Sequence, residues 1–333
     1  MTSKIYDCLV VGGGPAGLTA AATLVRLRRS AVVFDSKAYR NAGAHAMHMV
    51  PGFDHADPKD FRKIAREQLL SRYKTIEFQE GNVVSAAQVE LGDDTGAAFE
   101  LRDENGRTWR GKKVILATGS IDVMPEDIEG YKENWPHHIY QCPFCDGLED
   151  SGHSVGILGF PSPMYQTYGF AGLRFDDRVI IFMNGDSPSD EPTFGALRTL
   201  EALGARVEKR RVRRIIDNGP GPANGISVEL EGGEKVRCGM MFHHPRTVNR
   251  ANNLFDQLGI ERAPVNEAME IGGEVALKDQ FNQTSVKGIF AAGDTTTPYK
   301  SVAQAISSGN IAAVGACMTL AMEEGAKALA AKS

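Results

Sequence analysis

Two cysteines, Cys142 and Cys145, stand in the stretch YQCPFCDG (residues 140–147). A Cys-x-x-Cys pair can bind a metal, close as a static disulfide, or exchange electrons. A structural metal site normally takes four ligands. The remaining cysteines, Cys8, Cys238 and Cys317, are isolated in segments that read as strands or a helix. The histidine pairs His137-His138 and His243-His244 lack finger-like spacing, so no metal site is expected. A static disulfide closing so short a loop stabilises little and is out of place in a reducing compartment. Redox exchange remains: a first thiol near a helix N-terminus is biased toward thiolate, the species that attacks disulfides. Asp146 follows directly, placed either to move protons or to cap a helix. His137 and His138 are further proton acceptors by position, although a loop histidine is ordinarily only solvated.

Redox thiols need a partner, and the elements around them indicate one. Ile5–Val11 is an apolar, β-branched run that predicts a strand, and the helical pattern Leu18–Leu27 follows the turn Gly12-Gly13-Gly14-Pro15-Ala16-Gly17. Gly12 permits the tight turn, Gly14 lets backbone approach a pyrophosphate, and Gly17 lets helix and strand pack closely. The anion would sit on the helix N-terminus, where unpaired N–H groups and the dipole favour it. A second strand, Ala31–Phe34, ends in Asp35, placed to bond a ribose hydroxyl. This order predicts a dinucleotide site.

A second such unit starts at the strand Ser154–Leu158, but its loop reads Gly159-Phe160-Pro161-Ser162-Pro163-Met164. Only the first glycine is present. Pro161 brings a ring and no N–H to the place where a phosphate must approach. After the strand Val179–Met183 come Asp186 and Asp190 and no base, the wrong sign for a 2′-phosphate. Both features predict a second dinucleotide-type unit that keeps its fold without its ligand.

The run Val114-Ile115-Leu116-Ala117-Thr118-Gly119 resembles the Ala-Thr-Gly strand of two-domain flavin disulfide reductases, and Gly288–Asp294 resembles their C-terminal flavin strand. The chain as a whole resembles the low-molecular-weight thioredoxin reductases. That resemblance implies an α/β fold of two Rossmann-like, three-layer domains. The FAD domain is then discontinuous, at 1–120 and 248–333, with an insert at 121–247 that carries the cysteine pair. The degraded second loop stands in that family's place for NADPH, which is therefore not expected. It implies flavin contacts from Gly12, Gly14, Pro15, Ala16, Gly17, Asp35, Ser36, Arg40, Asn41, His48, Val83, Ala117, Thr118, Gly119, Gly293, Asp294 and Val302. It also implies that Cys145 lies against the flavin, that Cys142 is the outer, exchanging thiol, and that Asp146, with His138 as a further candidate, serves as acid/base. The long helix Ser301–Met322 would point its N-terminus at the flavin pyrimidine. The family forms homodimers.

The segments FDSKAYRN (34–41), Met47-His48, C-x-x-C-D-G and the degraded second loop resemble more narrowly the dithiol oxidases of fungal epidithiodioxopiperazine pathways, the gliotoxin oxidase type. This implies that a small-molecule dithiol is closed to a disulfide, with O2 as acceptor and H2O2 as product. An NADPH-dependent thioredoxin reductase is the alternative.

The bulk properties fit a two-domain enzyme of 333 residues, 42% hydrophobic and 24% charged. A net charge of −5 offers no field for nucleic acid or anionic membrane. No targeting pattern precedes the first strand, and the few scattered cysteines suit a cytoplasmic location. The apolar run Ile311–Met322 is too short to span a bilayer and predicts a buried helix. Asp57–Tyr73 predicts an amphipathic helix with a solvated basic face, Lys209–Arg214 a solvated charged strand, and Asn218–Gly225 a hairpin loop.

Overall fold

A computed structural model describes residues 4–90, 97–266 and 272–332. The first sheet is built from β1 (Ile5–Val11), β2 (Ala31–Asp35), β3 (Ile76–Glu80), β4 (Val83–Glu90), β5 (Ala97–Asp103) and β6 (Thr108–Leu116). Its order is β3-β2-β1-β6-β5-β4, parallel from β3 to β6 and antiparallel from there to β4. The parallel strands are continuous apolar runs because both of their faces are covered. Helix α1 (Pro15–Arg26) connects β1 to β2. Helix α2 (Pro58–Arg72) follows, with Asp57 accepting the Lys59 amide as its N-cap. The basic face of α2 is used for packing rather than merely solvated: Arg62 lies over the Tyr39 ring and Arg66 over Phe78. The sheet is completed far downstream, when Ile289–Ala291 pairs in parallel with β6.

Between these two parts the chain builds a second sheet. β7 (Ser120–Asp122) leads into α3 (Tyr131–Asn134), β8 (Ile139–Tyr140) and α4 (Pro143–Asp146). β9 (Val155–Leu158), α5 (Tyr165–Phe175), β10 (Val179–Phe182), α6 (Glu191–Ala202) and β11 (Arg206–Glu208) follow. A meander of β12 (Val212–Asp217), β13 (Ile226–Leu230) and β14 (Lys235–Cys238) precedes β15 (Met240–Phe242) and β16 (Thr247–Asn249). The five-stranded order is β11-β10-β9-β15-β8, parallel throughout. The charged run before and along β12 is ion-paired rather than simply solvated. Arg210 binds Glu208 and Glu234 at 2.8 Å each, and Arg213 binds Glu231 at 3.1 Å.

The chain crosses between the sheets twice, and the crossings lie side by side. β7 and β16 form a two-stranded antiparallel ribbon with Ser120 opposite Asn249 and Asp122 opposite Thr247. After β16 come α7 (Asn252–Leu258) and finally α8 (Val302–Ala330), capped by Ser301 accepting the Gln304 amide. α8 runs past the predicted end at Met322, and the apolar stretch is not wholly buried: Met318 and Met322 are exposed. By length and composition α8 would suffice to cross a bilayer, and half of its most apolar stretch is buried inside the fold. The buried Lys113 ammonium binds Glu323 at 2.7 Å and ties the far half of α8 to β6.

Candidate active site

The loop after β1 has the geometry of an anion cradle. Gly12 has φ +122°, and a Cβ there would stand 2.1 Å from the Ala117 carbonyl oxygen. A Cβ on Gly17 would meet the Gly12 carbonyl at 1.8 Å, which is why helix and strand can close up only on glycine. Gly14 instead faces open space. It caps α1 with no side-chain bond; Pro15 follows, and the first helical bond is Leu18 N–H to the Gly14 carbonyl. The amides of Ala16 and Gly17 therefore precede the helical ladder. No acid stands in that first turn to compete with an anion. The Thr118 hydroxyl, at the end of β6, is buried without a hydrogen-bond partner. Asp35, at the end of β2, is buried and oriented by the Lys37 amide at 2.9 Å and the Tyr39 hydroxyl at 2.8 Å. These features fit FAD: open backbone at Gly14 for its pyrophosphate, Asp35 for its ribose, and Thr118 as an unmatched polar atom.

Gly293 (φ +79°), Asp294 and Ser308 converge on the same place. Ser308 Oγ accepts the Gly293 amide at 2.9 Å. A Cβ on Gly309 would stand 2.2 Å from the Ala16 carbonyl oxygen, so α8 lies directly on the start of α1. Val302 begins α8, while Val83 lies buried in the first sheet opposite Asp103.

Arg40 joins this region to the cysteines. Its guanidinium binds Asp122 at 2.9 Å, Asp294 at 3.1 Å and the side-chain carbonyl of Gln141, the residue before Cys142. The Gln141 backbone carbonyl accepts the Tyr168 hydroxyl at 3.0 Å. Ser36 and Asn41 flank this arginine in sequence on the partly or fully exposed loop after β2.

Cys142 and Cys145 are joined as a disulfide with their Cα atoms 5.3 Å apart. Cys142 is the N-cap of α4, and Pro143 opens the helix in the position where it loses no hydrogen bond. Gly147 ends the turn, and a Cβ there would meet the Phe175 ring at 2.3 Å. That contact sets the distance between the cysteine turn and α5. Both cysteines are partly exposed, and Phe144 and Leu148 beside them are 67% and 70% exposed. Asp146 has its pKa raised to about 7, first by burial and then by the charges of Glu149 and Asp150. The free cysteines Cys8, Cys238 and Cys317 are all buried.

The histidines separate. His138 is buried with Nε2 3.1 Å from the Gly219 carbonyl, in contact with the hairpin loop of the insert. His137 is exposed and stacks on His45. His48 stands beside His55, Asp54 and Glu149. His244, which sequence spacing marked only as a non-ligand, is held neutral with its pKa lowered to about 4. Burial is the main cause, followed by the charges of Arg40 and Lys300, so it belongs to the Arg40 region.

The second Gly-rich loop is organised differently from the first. Phe160 is buried in the core between β9 and β10, its ring 6.1 Å from that of Tyr165. The opening amides of α5 are already bonded: Tyr165 to the Ser162 carbonyl at 3.1 Å, Gln166 to Pro163 at 3.0 Å, Thr167 to Met164 at 3.0 Å. Asp190 caps α6 through the Thr193 amide. One base, missed from the sequence, does reach this region: the stem of Arg211 packs on Gly185, where a Cβ would lie 2.6 Å from it.

The sequence matches the family described as Pyridine nucleotide-disulphide oxidoreductase over residues 6–159. It is 38% identical to "Thioredoxin reductase tcpT" of Claviceps purpurea over 93% of this chain and 93% of that protein. It is equally 38% identical to "Thioredoxin reductase sirT" of Leptosphaeria maculans, over 94% and 93%. The chain belongs to the thioredoxin reductase-like pyridine nucleotide-disulphide oxidoreductases. An oxidoreductase from Agrobacterium tumefaciens superposes with a TM-score of 0.83 at 29% identity, covering 96% of this chain and 99% of its own. Membership implies a flavin, in agreement with the cradle at Gly14, Asp35 and Thr118.

Proposed function

We propose that the protein is an FAD-dependent dithiol oxidase, which closes a small-molecule dithiol of the epidithiodioxopiperazine kind to a disulfide and delivers the electrons to O2. The observation that carries this reading is the bonded entrance of α5. An anion on a helix N-terminus needs free amides, and those of Tyr165, Gln166 and Thr167 are spent on carbonyls. The buried Phe160 supports the same reading, since its loop is anchored into the hydrophobic core of the insert. An enzyme without a working nicotinamide site must draw electrons from its thiol substrate. The exposed Phe144 and Leu148 suit an apolar small molecule at the disulfide.

In this mechanism a substrate thiolate attacks Cys142 Sγ, the Cys142–Cys145 bond breaks, and Cys145 leaves as thiolate. Asp146 takes the proton of the second substrate thiol, for which a pKa near 7 is well placed. That thiolate attacks the substrate sulfur held by Cys142, so the product leaves as a cyclic disulfide and the enzyme keeps two thiols. FAD, when bound, supplies the route by which this electron pair and two protons reach O2, giving H2O2 and restoring the disulfide. Arg40 holds Gln141, and through it the cysteine turn, against Asp294 throughout.

The relatives' names favour a second reading, an NADPH-dependent thioredoxin reductase, and Arg211 beside Gly185 is a base that could serve it. Anaerobic mixing of oxidised holoenzyme with NADPH separates the two. We expect the flavin band to persist with NADPH, to bleach with a small dithiol, and to return with peroxide on admitting air. Rapid bleaching by NADPH overturns the oxidase reading.

A further inference from the structure

We infer that His48, His55 and Glu149 form a binding site for a divalent transition metal, best suited to Zn2+, with Asp54 as the carboxylate that orients both imidazoles. Met47 and Ala56 pair as an isolated antiparallel bridge, which closes residues 47–56 into a loop and sets His48 and His55 opposite each other just inside it. The two rings meet edge to face with centroids 4.5 Å apart. Glu149 reaches them from the segment after α4. Its Oε1 is 3.8 Å from His48 Nε2 and 3.8 Å from His55 Nδ1. One nitrogen from each ring and one carboxylate oxygen lie within 4.8 Å of one another.

The opposite ring nitrogens face Asp54. His48 Nδ1 is 3.7 Å from Asp54 Oδ1, and His55 Nε2 is 3.5 Å from Asp54 Oδ2. One carboxylate therefore lies behind both rings while another lies in front. Metal-bound histidines characteristically direct the non-ligating nitrogen to a carboxylate, which fixes tautomer and orientation. Asp54 is itself positioned by the Met49 amide at 3.0 Å. Two imidazoles and a carboxylate are a zinc ligand set, with a fourth position left to water. With bonds of ~2.0–2.1 Å, a tetrahedral ion needs its ligands about 3.3 Å apart. The 3.8 Å separations must therefore close by roughly half an ångström, and the two ring nitrogens, which lie within 4.8 Å, by up to about 1.5 Å; His55 and Glu149, the exposed pair, can make that movement toward the less exposed His48. His55 and Glu149 are 63% and 41% exposed, so an ion has an open approach. Occupancy would fasten the loop after β2 to the segment that carries the cysteine pair.

This inference does not rest on the dithiol reading. Oxidised holoenzyme, with Cys142 and Cys145 kept as the disulfide, is titrated with Zn2+ by calorimetry in a non-chelating buffer. The expected result is one ion per chain. His55→Ala and Glu149→Gln should each weaken binding at least tenfold, and Asp54→Asn by roughly tenfold. The double variant Cys142→Ser/Cys145→Ser should bind zinc as the parent does. No saturable binding, equal affinity in His55→Ala and Glu149→Gln, or loss of zinc from the cysteine variant overturns the inference. All three test residues carry partly exposed side chains, and unchanged melting of the metal-free variants shows that the loop is intact.

Discussion

Asp146 is a carboxyl next to a disulfide, and its environment gives it a proton affinity near neutrality. As a base it must be ionised, so dithiol kcat/KM is expected to fall about tenfold per pH unit below a midpoint near 7. Glu149→Gln removes the second cause of the shift and should move that midpoint down; an unmoved limb would assign it to another group. The same shift has a stability consequence. The folded pKa is raised, so folding is favoured most below the ordinary value of 3.8 and loses stability as pH climbs to about 7. Asp146→Asn should therefore stabilise the protein by about 2–4 kcal/mol at pH 8 and by nearly nothing at pH 3.5, read from melting curves at both values. At the disulfide itself, Cys145→Ser should cut dithiol turnover on the order of 10^3-fold or more while FAD stays bound. Cys142→Ser should leave a Cys145 thiolate against the flavin, seen as long-wavelength absorbance. Absence of that absorbance would mean that the two sulfurs have exchanged roles.

The close approaches between elements come next. α8 lies on the first turn of α1 because Gly309 offers no side chain to the Ala16 carbonyl. Gly309→Ala should cost roughly 1–3 kcal/mol through overpacking and release FAD more readily, since the crowded turn is the one assigned by our proposal to the FAD pyrophosphate. Full FAD retention with unchanged melting would show that α8 can shift without penalty. The glycines of this turn were legible in the sequence because each meets a local steric demand that spacing encodes. The cysteine turn was legible for a similar reason, although spacing alone does not reveal that Gly147 serves the Phe175 ring. The stem of Arg211 on Gly185 and the gathering of His48, His55 and Glu149 depend on how distant segments meet. No local pattern carries that information. The histidines also show the limit of reading proximity in the chain as proximity in space. His138, four residues before Cys142, is engaged with Gly219, whereas His244, far downstream, stands in the field of Arg40.

At the scale of the molecule, alternation of strands and helices announced two α/β sheets, and the interruption of the first sheet was legible because its last strand resembles a flavin strand. The extension of α8 to Ala330 was not, since residues 321–332 are exposed and carry no apolar stripe to mark them. The ribbon of β7 and β16 was also hidden, being only three residues on each side. Because Asp122 and Thr247 face each other across it, the chain leaves the first sheet and re-enters it at a single point. Everything from 123 to 246 is therefore a cartridge joined through one covalent socket and steadied by the Arg40–Gln141 and His45–His137 contacts. Replacing it with an Asn-Gly turn should close β7 and β16 into a hairpin and leave a shortened protein that still folds and binds FAD. Far-UV circular dichroism and flavin fluorescence would check this; a shortened chain that cannot hold FAD would show that the cartridge also braces its socket.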